Sequence, residues 1–156
     1  MEELKAFIAL GSNSEKPEEQ LLTAYDLISK RIGPIELKSS IFKNPPLGFE
    51  SRFEFANSVV RINWNKTALE LLDICEGIEK DMGRIEKSTN GYSDRIIDLD
   101  IIMFGNQKID TSRLQIPHPL FRERIFVLKP FSEIAPELID PVTFLSVNQL
   151  FQQLIF

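Results

Sequence analysis

Apolar residues in this chain follow two rhythms. Lys5 to Leu10 and Phe55 to Trp64 are short runs of apolar, aromatic and β-branched residues, which is the composition of strands. In the second run Phe55, Asn57 and Val59 fall on one face, and Ala56, Ser58, Val60 and Ile62 on the other. Helical spacing appears between the two. Leu21, Ala24, Tyr25, Ile28 and Ile32 form a stripe that follows Pro17, a residue suited to a first turn, and Gly33-Pro34 ends it. Ile35 to Phe42 predicts a second strand. Thr67-Ala68-Leu69-Glu70 reads as a capping box, opening a helix whose stripe is Ala68, Leu71, Leu72, Cys75, Ile78 and Met82 and which Gly83 closes. Asp94 to Ile102 predicts a further strand.

The remaining segments are connections and a C-terminal layer. Gly11-Ser12-Asn13-Ser14 is a turn-forming cluster, and Asn44 to Arg52 is a loop stiffened by Pro45-Pro46. Arg84 to Ser93 is a polar loop with Asn90-Gly91 at its tip. Gly105-Asn106 predicts a hairpin towards Lys108-Ile109, and Ile116-Pro117-His118-Pro119 a rigid, extended piece. Phe121 to Leu138 is read as helical in parts, broken at Pro130 and Pro136. Ser146 to Leu154 is read as a terminal helix anchored by Leu150, Phe151 and Leu154. The order strand, helix, strand, strand, helix, strand is the split β-α-β of ferredoxin-like folds. The expectation is therefore an α+β domain spanning residues 1–156. Its sheet is mostly antiparallel and covered by helices in α/β/α layering, with added C-terminal helices. Such a fold hosts many functions and decides none.

Composition narrows the classes. At 156 residues, 43% hydrophobic and 26% charged, the chain suits one domain with a real core. A net charge of −5 argues against a general nucleic-acid binder. One cysteine, Cys75, excludes an internal disulfide or a zinc–cysteine framework, and it reads as a small core residue. No apolar stretch approaches the ~20 residues of a membrane span, and the acidic N-terminus is no signal peptide. The expected setting is the cytoplasm, without membrane or nucleic-acid partners, and the expected state a monomer.

Candidate chemistry centres on Asp98-Leu99-Asp100. On a strand the two carboxylates share a face about 6.6 Å apart, within reach of one metal or of two close together. Two acids in so apolar a strand are costly unless a cation compensates them, and Mg²⁺ takes few carboxylates together with substrate phosphates. An exposed edge strand with two solvated acids is the alternative. Arg84, Arg95 and Arg124 offer forked donors that match phosphate oxygens. His118, the single histidine, is either a hydrogen-bonded structural residue or a donor to a phosphate. Asn57 carries a donor and an acceptor suited to the edge of a heterocycle, with Phe55 and Phe126 available to stack on its rings. No phosphate-loop, dinucleotide or protein-kinase signature is present.

Together these pieces resemble the 6-hydroxymethyl-7,8-dihydropterin pyrophosphokinase family of folate biosynthesis. The resemblance runs through Ile8 to Asn13, Pro45 to Gly48, Phe55-Ala56-Asn57, Gly83-Arg84, Arg95 to Ile101, Ile116-Pro117-His118, Arg124 to Leu128 and Glu133 to Glu137. It implies transfer of pyrophosphate from ATP, a co-substrate, to the hydroxymethyl group of the reduced pterin, with release of AMP. It also implies that Asp98 and Asp100 hold two Mg²⁺ ions and that Arg84 and Arg95 assist transfer from a loop. By the same resemblance Glu79, Ile101, Arg113, His118 and Arg124 lie on the ATP side. Asn44, Pro45, Leu47, Phe55, Asn57 and Phe126 lie on the pterin side, with Phe55 and Phe126 sandwiching the ring. The loops 44–52 and 84–93 are expected to act as lids. Asn44 stands where Ser or Thr is common in the family, Phe55 where Tyr is frequent, and Glu86 where a second loop arginine occurs. A non-catalytic ligand-binding module and a ferredoxin-like RNA-binding domain are the competing classes; the acidic balance disfavours the second.

Overall fold

The structure is a computed structural model that describes residues 2–44, 54–83 and 96–156. In chain order it contains β1 (Leu4–Ser12), α1 (Pro17–Arg31), β2 (Ile35–Lys38), β3 (Phe42–Asn44), β4 (Phe55–Trp64), α2 (Ala68–Asp81), β5 (Asp98–Phe104), β6 (Ile109–Asp110), β7 (Gln115–Ile116), α3 (Ile125–Ile134) and α4 (Val147–Ile155). A short 3-10 turn, Phe121–Glu123, precedes α3. The main sheet has the order β2-β4-β1-β5, with β3 also on β4, and every pairing is antiparallel. This is the ferredoxin-like order expected from the sequence.

The two faces of the sheet bury different cores. Ala6, Ile8 and Leu10 of β1, with Ala56, Val60 and Ile62 of β4, pack against Leu21, Ala24 and Ile28 of α1 and Leu71, Cys75 and Ile78 of α2. The intervening residues Phe7, Ala9 and Val59 face Val127, Leu128 and Phe131 of α3 and Val147 and Leu150 of α4. Period-two alternation in the strands thus divides one sheet between two helical layers. Phe131 joins the second layer to the sheet, its ring centroid 5.1 Å from that of Phe7 and 6.1 Å from that of Phe121.

Local chemistry sets the ends of the helices. The Thr67 hydroxyl accepts from the Glu70 N–H while the Glu70 carboxylate accepts from the Thr67 N–H, completing the expected capping box. Ser146 and Gln149 form a second one at the start of α4. Gly83 follows α2 with φ +95°, a conformation that costs little only without a side chain.

Several expectations need correction. The first strand continues through Gly11 to Ser12, because β4 still pairs with it at both residues and β5 at Gly11. The strand expected over Ile35 to Phe42 is two strands. Lys38 pairs with Val60 but Phe42 with Asn57, so one extra residue is accommodated between them. Ser39 fills the break: its N–H donates to the Val59 carbonyl, and its hydroxyl accepts from the Val59 N–H. Of the strand expected over Asp94 to Ile102, Asp94 and Arg95 lie outside the described residues, and β5 begins at Asp98. Gly105 does turn the chain, but Ile109–Asp110 pairs with Gln115–Ile116 and not with β5. Pro130 lies inside α3 without ending it, since burial of Val127, Leu128 and Phe131 outweighs the one hydrogen bond that proline removes. In α4 the anchors are Val147 and Leu150, with Phe151 partly buried against the same core; Leu154 is exposed.

Phe131→Ala should lower the unfolding free energy by about 3–5 kcal/mol, the usual range for emptying a buried aromatic site. Urea denaturation measures it, and a loss below about 1 kcal/mol would contradict the place given to this ring.

Candidate active site

Strand register assembles the candidate site. Gly11 pairs with Asn57 on one side and Asp98 on the other, so amide, glycine and carboxylate lie in one row across β4, β1 and β5. Neighbouring strands are ~4.8 Å apart, which separates the Asn57 and Asp98 backbones by roughly 10 Å. A Cβ on Gly11 would come within 2.8 Å of Asn57 Oδ1. The glycine is therefore the floor between the two polar groups, and any side chain there would push the Asn57 amide aside. Asn57 is buried and Phe55 half-buried two positions before it on the same face. Phe126 enters this face from the first turn of α3, half-buried beside the aromatic core. Asp98 and Asp100 share the face by alternation with Ile97, Leu99 and Ile101, which belong to the opposite core.

The carboxylate pair sits on an edge strand. Asp98 is half-buried and Asp100 exposed, which spares both the full cost of desolvation. Among the described residues no further strand pairs with this edge, and one side chain and one backbone group cap it instead. Glu79 reaches from α2 and its Oε2 accepts the Leu99 N–H at 2.7 Å. Further along, the His118 N–H donates to the Ile102 carbonyl at 2.9 Å. Counted by alternation from Leu99, Ile101 is the next residue whose N–H and C=O turn away from β1, and the register shift just beyond it brings the Ile102 carbonyl outwards as well. The Ile101 groups face a cleft of about 440 Å³ whose lining includes Leu72, Asp100, Ile101, Arg113, Leu114 and His118. Arg113 is held over this cleft by α2, its Nη2 donating at 2.8 Å to both Asp73 Oδ1 and Glu76 Oε1.

His118 joins the cleft to the carboxylates. Its Nδ1 accepts the Leu120 N–H at 3.1 Å, which leaves the ring proton on Nε2 as a donor. Burial draws the imidazole below its usual pKa; the Asp100 charge opposes this and the Arg124 charge reinforces it. Arg124 stands 5.7 Å from the centre of the Phe126 ring, so the cationic and aromatic sides of the site adjoin. Cys75 is no part of the chemistry. Burial first, then the charges of Glu79, Asp100 and Glu76, pushes its thiol up to about 12.

The structure thus brings together Phe55, Asn57, Asp98, Asp100 and Phe126 on one sheet face, and Glu79, Ile101, Arg113, His118 and Arg124 along the edge beside it. Asn44 pairs with Phe55 through the backbone at the end of β3. Asn44, expected to open the first lid, is thus a strand residue, while Pro45, Leu47, Arg84 and Arg95, and with them residues 45–52 and 84–93 of the expected lids, lie outside the described residues. Gly11 is the site residue that sequence reading misses. The sequence places it in a turn-forming cluster, although it continues the face of Phe7 and Ala9, and a glycine ending a strand face marks a close approach. Among the described residues no group of three or more His, Cys, Asp or Glu side chains could hold a metal ion by itself. Two hard oxygen donors on an accessible edge do fit a magnesium ion whose coordination is completed by water and a phosphorylated ligand.

Residues 7–136 match the family model of 7,8-dihydro-6-hydroxymethylpterin-pyrophosphokinase. The chain is 38% identical over 139 residues to 2-amino-4-hydroxy-6-hydroxymethyldihydropteridine pyrophosphokinase of Haemophilus influenzae, covering 88% of this chain and 86% of that protein. It is 36% identical to the Bacillus subtilis protein of the same name, covering 92% and 86%. It is also 34% identical to the folic acid synthesis protein FOL1 of Dictyostelium discoideum, covering 92% of this chain but 22% of that one. In fold it is similar to a solved HPPK-DHPS in complex with substrates, with a TM-score of 0.80 at 16% identity, covering 98% of this chain and 43% of that one. The Plasmodium falciparum HPPK-DHPS with pteroate gives a TM-score of 0.76, and 42% of its length is covered. The chain therefore spans less than half of these solved proteins. No helix among the described residues is long and apolar enough to cross a membrane.

With a single imidazole to observe, His118 can be titrated by NMR in the ligand-free, metal-free protein. Its pKa should lie below the ordinary value of 6.5. Asp100→Asn should lower it further and Arg124→Ala should raise it. Since the unfolded chain then binds the proton more readily than the folded one, this residue makes stability fall as pH drops from 6.5 through the folded pKa. A pKa at or above 6.5 would overturn this electrostatic account.

Proposed function

The chain belongs to the 7,8-dihydro-6-hydroxymethylpterin-pyrophosphokinase family, and from that premise we propose that it transfers pyrophosphate from ATP to the hydroxymethyl group of 6-hydroxymethyl-7,8-dihydropterin, releasing AMP, within folate biosynthesis. The observation that carries this reading is the row Asn57–Gly11–Asp98. It supplies a flat floor with a heterocycle-reading amide at one end and a metal-binding carboxylate at the other. A pterin lying on Gly11, with its ring between Phe55 and Phe126, would present its amide edge to Asn57 and direct its hydroxymethyl arm to Asp98 and Asp100.

ATP would occupy the neighbouring cleft. Adenine offers a donor and an acceptor side by side, which suits the outward C=O and N–H of Ile101, between the apolar walls of Leu72 and Leu114. The triphosphate would then run towards His118, Arg124 and the carboxylates. His118 donates through Nε2 without adding a charge, Arg124 supplies a fork to phosphate oxygens, and Arg113 closes the outer side. Asp98 and Asp100 would hold two magnesium ions, which when bound neutralise the triphosphate and make the pterin hydroxyl more acidic. Glu79 would act through the strand, its hydrogen bond to the Leu99 N–H fixing the backbone between the two acids. Arg84 and Arg95 complete the proposal as loop residues that assist transfer, and Asn44, Pro45 and Leu47 as the pterin-side loop. The single domain over residues 1–156 would work as a cytoplasmic monomer.

Incubation with ATP, magnesium and the pterin alcohol should give AMP, and ADP in its place would sink the reading. Asp98→Ala and Asp100→Ala should each remove about 10³-fold or more of turnover in a protein that remains folded, since several kcal/mol of charge stabilisation goes with the metal. Near-normal turnover in either would contradict the metal role. Asn57→Ala should weaken pterin binding more than nucleotide binding in calorimetric titrations; equal losses would argue against its assignment.

A further inference from the structure

We propose that Asp140, acting through Arg122, is a positioning residue for the nucleotide side of the site. The inference rests on the reading of the cleft as an ATP site. Asp140 lies 18 residues beyond Arg122, in the connection between α3 and α4, and its side chain is fully buried. Its carboxylate accepts at 2.6 Å from Arg122 Nε, at 3.0 Å from Arg122 Nη2, at 3.0 Å from the Val142 N–H and at 2.8 Å from the Thr143 hydroxyl. Burial alone would raise this carboxyl, but Arg122, the Val142 N–H and the Thr143 hydroxyl outweigh it and hold the group below the ordinary carboxylate range. The charge is thus fully compensated in place, which is the condition for keeping a buried carboxylate ionised.

The turn that presents Asp140 is itself tightly specified. The Phe144 N–H donates to the Asp140 carbonyl, and the Asp140 N–H to the Leu145 carbonyl, both at 2.8 Å. Phe144 adopts φ +62°, a left-handed conformation unfavourable for a side-chain-bearing residue. An exposed aromatic in that conformation contributes no core packing to offset the cost. The bonds converging on Asp140 hold the turn in place.

The other end of the bridge is the segment that carries the nucleotide-side donors. Arg122 is in the 3-10 turn Phe121–Glu123, between His118 and Arg124. At about three residues per turn, side chains leave such a turn roughly 120° apart, so two anchored neighbours fix its rotation. Phe121 is one anchor, buried against Phe131. The Arg122 fork on Asp140 is the other, and a bidentate pair fixes orientation as well as distance. With both set, the approach of the chain to Arg124 is fixed from the turn side, while its carbonyl accepts from the Val127 and Leu128 N–H groups of α3 on the other. Phe126 depends on this bridge much less, because Val127, Leu128 and Phe131 bury α3 independently. The bridge therefore governs the ATP side in preference to the pterin side.

Asp140→Asn keeps the shape and one acceptor oxygen while removing the charge that the fork requires. In the full chain with magnesium, affinity for α,β-methylene ATP by calorimetry and KM for ATP should each worsen about tenfold, as expected when a phosphate-binding group is misplaced by a fraction of an ångström. KM for the pterin should stay within about twofold, because a group that meets one ligand alone bears on that ligand's affinity alone. Unchanged nucleotide affinity, or an equal loss for both ligands that follows the folded fraction, would overturn the inference. Should Asp140→Asn fail to fold, Arg122→Lys decides by the same measurements, since it keeps the charge and loses the fork. A wild-type protein that binds the analogue but forms no AMP would defeat the proposed activity while leaving the nucleotide measurements to judge Asp140.

Discussion

The pairing of β1 with two neighbours at once is the constraint on which the rest of the structure depends. Its register with β4 runs unbroken from Leu4 to Ser12, and its register with β5 reaches Gly11 opposite Asp98. A slip of one residue on either side would turn every side chain to the other face. Asn57 would then point into the core under α1 and α2, or Asp98 and Asp100 would. Burial of Ile8, Leu10, Val60, Ile62, Leu99 and Ile101 opposes such a slip through apolar area on the opposite face. The packing that folds the sheet from one side is thus what places the polar row on the other.

A single irregularity reconciles the two demands on β5. Between the pairs Ile8–Ile101 and Phe7–Met103 the register shifts by one residue. Before the shift, alternate residues place Asp98 and Asp100 on the α3 face. After it, Ile102 and Met103 both contribute to the aromatic core, and Phe104 returns to the α1–α2 core. Without the bulge, strict alternation from Asp100 would carry Phe104 to the α3 face as well. An extra residue at the edge of a sheet, next to a candidate active site, resets the phase so that one strand can carry acids at one end and core residues at both faces of the other.

Local patterns were legible in the sequence wherever one rule acted alone. The α1 and α2 stripes, the Thr67 capping box and the two faces of β4 all follow from period and chemistry within a few residues, and the element order led to the sheet. What escaped depended on partners distant in sequence. At the break the Ser39 hydroxyl takes the place of a backbone carbonyl as acceptor for the Val59 N–H. Pro130 continues a helix because of burial that helix propensity does not encode. Gly11 looked like a turn because nothing local says that both neighbouring strands reach it. The candidate site was read in the same uneven way. Asp98, Asp100 and Asn57 could be proposed from spacing and chemistry, whereas Asp140 could not, because its meaning lies in a partner 18 residues away. Arg113 is an intermediate case: the chain shows an arginine, but only the fold shows that Asp73 and Glu76 hold it at the cleft.

A common arrangement underlies these particulars. Each side chain of the candidate site is next to one that anchors the chain. Asn57 precedes Ser58, which accepts a buried hydrogen bond of 2.7 Å from the Tyr25 hydroxyl. Leu99, buried and held through its N–H by Glu79, separates the two acids. His118 turns Nε2 outwards while its own N–H and Nδ1 are committed to the backbone. Arg124 follows a turn whose Phe121 and Arg122 are both fixed. In strands this division is a consequence of alternation, and in the 3-10 turn a consequence of three residues per turn. A charged or polar group can then stay half-exposed, where desolvation costs little, and still be held to the accuracy that phosphoryl transfer demands. Pre-organisation here comes from the neighbours' burial, which is why a site of so many charges can rest on a chain whose core is ordinary.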